Sequence, residues 1–207
     1  MNASYILATL LLTLILTTEI IKMVKAKTEI QKYETLYRND NFEIRYYPQS
    51  ILASVDVNGD YDNSRNSGFR ILANYIFGGN KENEKIAMTS PVRMSSKEEL
   101  NTMSFVLPSN MNFNSLPKPN DDRILLHKSE PFYAAVIRYG GYTNEKEINQ
   151  KKKELSERIE KLGISHVDNF EYLGYNAPFD MFNRRNEVSV ELKNFDPEIL
   201  NEILAEQ

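Results

Sequence analysis

The chain has no cysteine. Disulfides, thiolate metal sites and cysteine nucleophiles are therefore excluded, although an oxidising compartment is not. Histidine is nearly as scarce, with only His127 and His166 in 207 residues. There is no His-x-x-x-His pair, no phosphate-cradling glycine loop and no Gly-x-Ser-x-Gly elbow. Glu98-Glu99, Asp121-Asp122 and Lys151-Lys152-Lys153 read as solvated faces and loops, not paired acid–base groups. No enzymatic activity and no catalytic residue is expected. With 8 glycines and 8 prolines, the composition also excludes a disordered chain. Basic clusters are lacking too. Net charge is −4, and residues 1–30 carry +1, which leaves −5 on the remainder. Nucleic-acid binding needs basic surface to displace counterions, so no nucleic-acid partner is expected.

The chain does have an apolar start. Ala3 to Thr18 carry no charge, and the run continues through Ile20-Ile21-Lys22-Met23-Val24. It approaches the ~20 residues that span a bilayer. Residues 1–24 are read as an N-terminal transmembrane anchor. A cleaved signal peptide is the alternative, with Val24-Lys25-Ala26 as a weak cleavage site and export as its consequence. The lysines Lys22, Lys25 and Lys27 follow the span, so positive-inside logic keeps the domain of an anchored chain cytoplasmic. Residues 25–32 are a polar linker, 33–193 a globular domain and 194–207 a helical tail opened by Asp196-Pro197.

Within the domain, Lys32–Tyr37 and Phe42–Tyr47 alternate apolar and polar residues, which predicts a hairpin with one solvated face. Further strands are expected over Ile51–Val57, Thr102–Leu107, Arg123–His127, Phe132–Tyr139, Phe170–Tyr175 and Glu187–Leu192, with His166 in a loop. The total is about eight strands and two helices with antiparallel connections, an α+β domain. An internal duplication is visible. Gly59-Asp60-Tyr61 and Gly140-Gly141-Tyr142 lie 81 positions apart, and each precedes a helical stretch, a glycine stop and a strand. Met88-Thr89-Ser90-Pro91-Val92 and Asn176-Ala177-Pro178-Phe179 are read as matched proline corners of two pseudo-symmetric halves.

The two helices differ. From Asn144 to Leu162 only Ile148, Leu155, Ile159 and Leu162 make an apolar stripe. From Asn63 to Phe77 the core stripe is Phe69, Leu72, Ala73 and Ile76, and a second strip contains Ile71 and Tyr75 flanked by Arg70, Asn74 and Phe77. That second strip is either covered by other elements or a ligand face with an apolar floor and a cationic rim. Arg184-Arg185 is either an anion-facing fork or a charged turn.

Five segments in order resemble the SOUL/heme-binding protein family. They are Phe42–Pro48, Gly68-Phe69 with Asn74-Tyr75-Ile76, Lys85–Val92, Tyr139–Tyr142, and Gly174–Pro178 followed by Asn183–Val188. The resemblance implies a distorted antiparallel β-barrel of two pseudo-symmetric halves flanked by two helices. It also implies reversible, non-covalent binding of b-type heme or another porphyrin, in a buffering or carrier role, without an established reaction. The implied site lies against the first helix, at Arg70, Ile71, Asn74 and Tyr75, and is closed by the late loop with Phe179, Met181, Phe182 and Arg184. Some members have a histidine, proposed as an axial ligand, where this chain has Tyr46. The partners expected are a tetrapyrrole and, through the N-terminal helix, a membrane. The alternative is a module for another apolar effector or a protein.

Overall fold

The structure is a computed structural model that describes residues 28–97, 100–176, 180 and 182–201. The expected membrane span falls outside those residues, as do residues 25–27 of the expected linker, and among the described ones no helix is long and apolar enough to cross a membrane.

In chain order the elements are β1 (Glu29–Ile30), β2 (Glu34–Asn39), β3 (Phe42–Tyr47), β4 (Ile51–Asn58), α1 (Tyr61–Ile76), β5 (Thr89–Ser90), β6 (Val92–Lys97) and β7 (Leu100–Val106). A one-turn 3-10 helix (Phe113–Ser115) follows, then β8 (Leu125–Lys128), β9 (Phe132–Tyr139), α2 (Glu145–Lys161), β10 (His166–Gly174) and β11 (Asn186–Leu192). Nine strands form one sheet in the order β2-β3-β9-β11-β10-β6-β7-β4-β8, all neighbours antiparallel.

The expected barrel is corrected to an open sheet, because its edges β2 and β8 do not pair. β8 supplies only four residues before Pro131, and a proline cannot donate a ladder hydrogen bond, so this edge offers little to a closing partner. The duplication is visible in the topology. β4-α1-β6-β7 and β9-α2-β10-β11 share one order, and the sheet reads β10-β11-β9 and β6-β7-β4 outward from the β10–β6 pair. The proline corners do not match, however. Pro91 lies between β5 and β6, before the strand equivalent to β10, whereas Pro178 comes after β10 in the sequence. His166 opens β10 instead of lying in a loop, with a bulge between it and Phe170.

Both helices lie on one face, and the period-two alternation of the strands explains why. Phe42, Ile44, Ala135, Ile137, Val188 and Val190 meet Ile148, Leu155 and Ile159 of α2. Ala53, Val55, Met94, Met103 and Phe105 meet Leu72, Tyr75 and Ile76 of α1. The intervening residues of the strands point away from the helices. Caps fix where the helices start: Asp60 accepts from the Asn63 N–H at 2.9 Å and Asn144 from the Glu147 N–H at 3.0 Å. Asp196 likewise accepts from the Glu198 N–H at 3.0 Å, and Leu200 beyond it is buried against the α2 core.

Candidate functional site

α1 rests on β7 through Gly68, where an added Cβ would stand 3.2 Å from the Met103 Cβ. Ser64, Gly68, Leu72, Tyr75 and Ile76 are therefore its buried side. Arg70 and Asn74 are exposed, Phe77 is 62% exposed and Ile71 is half-buried at the rim of the core. Residues 70, 74 and 77 follow helical spacing, so they form one outward stripe.

Tyr75 does not belong to that stripe. It is 0% exposed, and its hydroxyl donates to the Pro117 carbonyl at 2.9 Å. Burial, with Glu82 and Glu84 adding to it, pushes its phenol up to about 12. The expectation of a surface tyrosine fails because the chain after α1 folds back over this end. Asn80 donates to the Tyr75 carbonyl at 3.1 Å, the Ile86 N–H donates to the Ile76 carbonyl at 2.8 Å, and Pro117, in the connection between β7 and β8, supplies the acceptor for the phenol.

The late loop is pinched at its base by the Arg185 N–H donating to the Asn176 side chain at 2.7 Å. Phe179 and Met181 lie outside the described residues. Phe182 is 79% exposed. Arg184 lies over the Tyr142 ring at 4.8 Å and donates to the Asp180 carbonyl at 2.7 Å. It borders a shallow depression with Arg138, Gly140, Gly141 and Asn183. Asn74 instead borders a cleft with Asn120 to Arg123. No cleft shown among the described residues contains both Asn74 and Arg184. Tyr172 feels charges from both the loop and the helix. Its phenol is raised by burial and pulled back by Arg184 and by Arg65 near the start of α1. Tyr46 is half-buried with its ring centroid 5.3 Å from that of Tyr133.

The helix-free face carries a feature the alternating pattern misread. β3 is not half-solvated. Glu43 and Arg45 are buried, and Arg45 forks onto Glu187 at 2.7 and 2.9 Å while its Nε donates to Glu43 at 2.5 Å. Arg185 faces an anionic group, but that group is an internal carboxylate. It donates to Glu187 at 2.9 Å and to the Tyr33 hydroxyl at 3.0 Å, and its guanidinium lies 3.8 Å from the Tyr175 ring centroid. Arg93 pairs with Glu171 and donates to Gln31 at 2.9 Å. The visible signal was a charged residue at every second position of a strand whose other residues are apolar, which solvent and a buried network explain equally well.

Beside this network the same face forms a cleft of about 450 Å³ that includes Arg93, Glu171, Ser54, Ser104 and His127. The His127 Nε2 is 2.9 Å from the Ser54 Oγ, which is 2.7 Å from the Ser104 Oγ. Among the described residues no carboxylate bonds the His127 ring, so the pair lacks the group that would orient a general base. His166 is held by Ser156 at 3.2 Å and by the Val167 carbonyl at 2.7 Å.

Comparison with known proteins places the chain in a family. The family described as SOUL heme-binding protein matches residues 28–191. Heme-binding protein 2 of Homo sapiens is 28% identical over 163 residues, 74% of this chain and 79% of that protein. Heme-binding protein 1 of Xenopus tropicalis is 29% identical over 155 residues, 71% of this chain and 81% of that protein. Among solved structures, the EcmrR C-terminal domain shares the fold with a TM-score of 0.59 at 11% identity, covering 79% of this chain and 99% of that one. A hydrolase from Listeria innocua does so with a TM-score of 0.54 at 12% identity, covering 83% and 96%.

Proposed function

Since the chain belongs to the SOUL heme-binding protein family, we propose that it binds heme or a related tetrapyrrole reversibly, as a buffer or carrier and not as a catalyst. The observation that supports this reading best is the outward stripe of α1. Arg70, Asn74 and the exposed Phe77, with Ile71 at its edge, offer an apolar floor and a cation to a flat amphipathic ligand. Phe182 and Arg184 of the late loop, beside Tyr142, supply a second apolar edge and a second cation for a carboxylate. Heme, when bound, would supply the redox and ligand chemistry of its iron.

Covalent attachment through thioethers needs cysteine, and the sequence has none, so b-type binding is the form proposed. Arg70, Ile71, Asn74 and Phe77 include no customary iron ligand, and the buried Tyr75 hydroxyl is already engaged. Affinity on this stripe would therefore come from apolar contact more than from iron ligation. The proposal also tethers the domain to a membrane through residues 1–24, with the lysine flank on the cytoplasmic side.

The test is titration of the detergent-solubilised full chain with hemin and with metal-free protoporphyrin, followed by absorbance and quenching of tyrosine fluorescence. Dissociation constants within about tenfold of each other are expected, which is 1.4 kcal/mol or less of iron contribution. Tight binding of hemin alone would replace the stripe by an iron-ligated site. Failure of both ligands to bind would favour a module for another effector or a protein.

A further inference from the structure

The two apolar cores meet on the helix side, over the central β10–β6 pair, and they do not fuse completely there. Tyr61 and Tyr172 pack against both cores. Between them and the first turns of α2 a cleft of about 260 Å³ remains, with Met94 of β6 and Ile148, Asn149 and Lys152 of α2 among its lining. Its volume equals that of roughly eight or nine waters in the liquid, enough for a small organic molecule.

Two polar groups at this cleft are incompletely partnered by the protein. Three phenols cluster here, and two are satisfied: Tyr172 donates to the Asn186 Oδ1 at 2.8 Å, and Tyr139 shares a hydrogen bond with Thr143 at 3.0 Å. The Tyr61 hydroxyl is buried, and no acceptor for its proton is found among the described residues. The cation beside it, Arg65, lies 5.7 Å from the Tyr61 ring centroid and is itself only a donor, so the phenolic proton is still without an acceptor. Lys152 is half-buried and forms no ion pair or hydrogen bond among the described residues. Burial pulls its ammonium below the usual lysine range, and Glu145 opposes that pull. A buried hydroxyl donor without an acceptor is costly. Tyr61 and Lys152 both line the cleft, so a ligand with an acceptor for the phenol and a negative charge for the ammonium would meet both, with Met94 and Ile148 facing its apolar body.

We propose that this cleft between α1 and α2 is a second ligand site, separate from the α1 outer stripe, that takes a small carboxylate with a flat apolar body. Glu145 at its exposed mouth disfavours polyanions, so a monocarboxylate fits best.

The test uses benzoate as the probe, titrated into the detergent-solubilised full chain by calorimetry, with benzyl alcohol and benzylamine as neutral and cationic counterparts. Saturable benzoate binding is expected, and the other two should bind at least about tenfold more weakly, 1.4 kcal/mol. Lys152→Met should weaken benzoate at least about tenfold and Tyr61→Phe several-fold. Lys153→Met should change nothing, because Lys153 is 81% exposed and points to Glu157 at 3.9 Å. Hemin titration of the Lys152→Met variant should match the parent, which separates this site from the tetrapyrrole reading. No saturable benzoate binding, equal binding of the three probes, or an unchanged constant in Lys152→Met would overturn the proposal.

Discussion

Replacing Glu187 by glutamine should be among the most damaging single-atom changes available to this domain. Glu187 is 0% exposed and accepts four hydrogen bonds: Arg45 at 2.7 and 2.9 Å, the Tyr175 hydroxyl at 2.9 Å and the Arg185 Nε at 2.9 Å. An amide turns one acceptor oxygen into a donor that must face a guanidinium or a hydroxyl. It also removes a charge that offsets two arginines, leaving Arg45 with Glu43 alone at 2.5 Å. Breaking a buried pair costs about 3–5 kcal/mol, because the surviving charge stays in low dielectric. At about 2–4 °C per kcal/mol for a domain of this size, the melting temperature should fall by roughly 6–20 °C. Circular dichroism of the purified chain would read it. Glu154→Gln is the control, since its partners Lys151 and Arg158 are only partly buried and such pairs contribute about 0–1 kcal/mol.

The acid limb supplies a second readout of the same change. Burial pushes the Glu187 carboxyl up, but the Arg45 hydrogen bonds and the charges of Arg45 and Arg185 outweigh it, so the carboxyl lies below its ordinary 4.5. A folded-state pKa that is depressed adds stability above the unfolded value, and that stability is lost as pH falls through the folded one. The parent should therefore weaken progressively below about pH 4.5, and the glutamine variant should show a flatter limb there. A melting temperature within 2 °C or so of the parent, together with an unchanged acid limb, would refute the claim that this network is a stabilising unit.

Two further outcomes follow from the helix side. A porphyrin that covers roughly 200 Å² of apolar surface on the α1 stripe gains about 5 kcal/mol before association costs, whereas an exposed arginine–propionate pair contributes about 0–1 kcal/mol; Ile71→Asp should thus weaken hemin at least about tenfold while Arg70→Gln changes it a few-fold and lowers its salt sensitivity, and fluorescence titrations that rank the two variants the other way would rule out an apolar stripe. Leu155 is 0% exposed between α2 and the sheet, so Leu155→Ala should cost about 2–5 kcal/mol in urea unfolding and leave hemin stoichiometry at the parent value, an outcome that a binding role for the α2 core would contradict.

The elements legible in the sequence are those whose pattern has one physical cause. α2 is one of them: charged all round except for Ile148, Leu155 and Ile159, it admits a single buried face, and its boundaries are recovered to within one residue of Asn144–Leu162. The β-α-β-β order of each half was legible for a similar reason, because glycine-stopped helices between apolar runs leave few alternatives. Tyr75 was not, since its burial depends on a loop that contains Pro117, some forty residues away, and no local period encodes that cover. Arg45 and Glu187 were hidden by the same logic. Alternation reports that two faces differ and says nothing about which face is solvated, so a polar face that other polar residues bury reads like one in water. Barrel closure depends on whether the two edges meet, and the four residues of β8 decide that against the implied closed form.

The polarity of the helix-free face also bears on where a tetrapyrrole can sit. Its cleft of about 450 Å³ is larger than the gap between the helices. Yet its wall includes the Arg93–Glu171 pair and the Ser104–Ser54–His127 chain, groups that already satisfy one another. A porphyrin face laid on them would strip water from charges and hydroxyls without offering hydrogen bonds in return, at roughly 1–3 kcal/mol for each group left short. Gln31 closes the same cleft from the chain entry, bound to Arg93 and through its N–H to the Ser90 carbonyl at 2.7 Å. A flat apolar ligand gains most where the surface is apolar and unsatisfied in shape, not where it is polar and satisfied in hydrogen bonds. By that criterion the exposed stripe of α1 outranks this cleft. Hemin protection of α1 amides from hydrogen exchange, without protection of β4 or β8, is the result that reasoning requires.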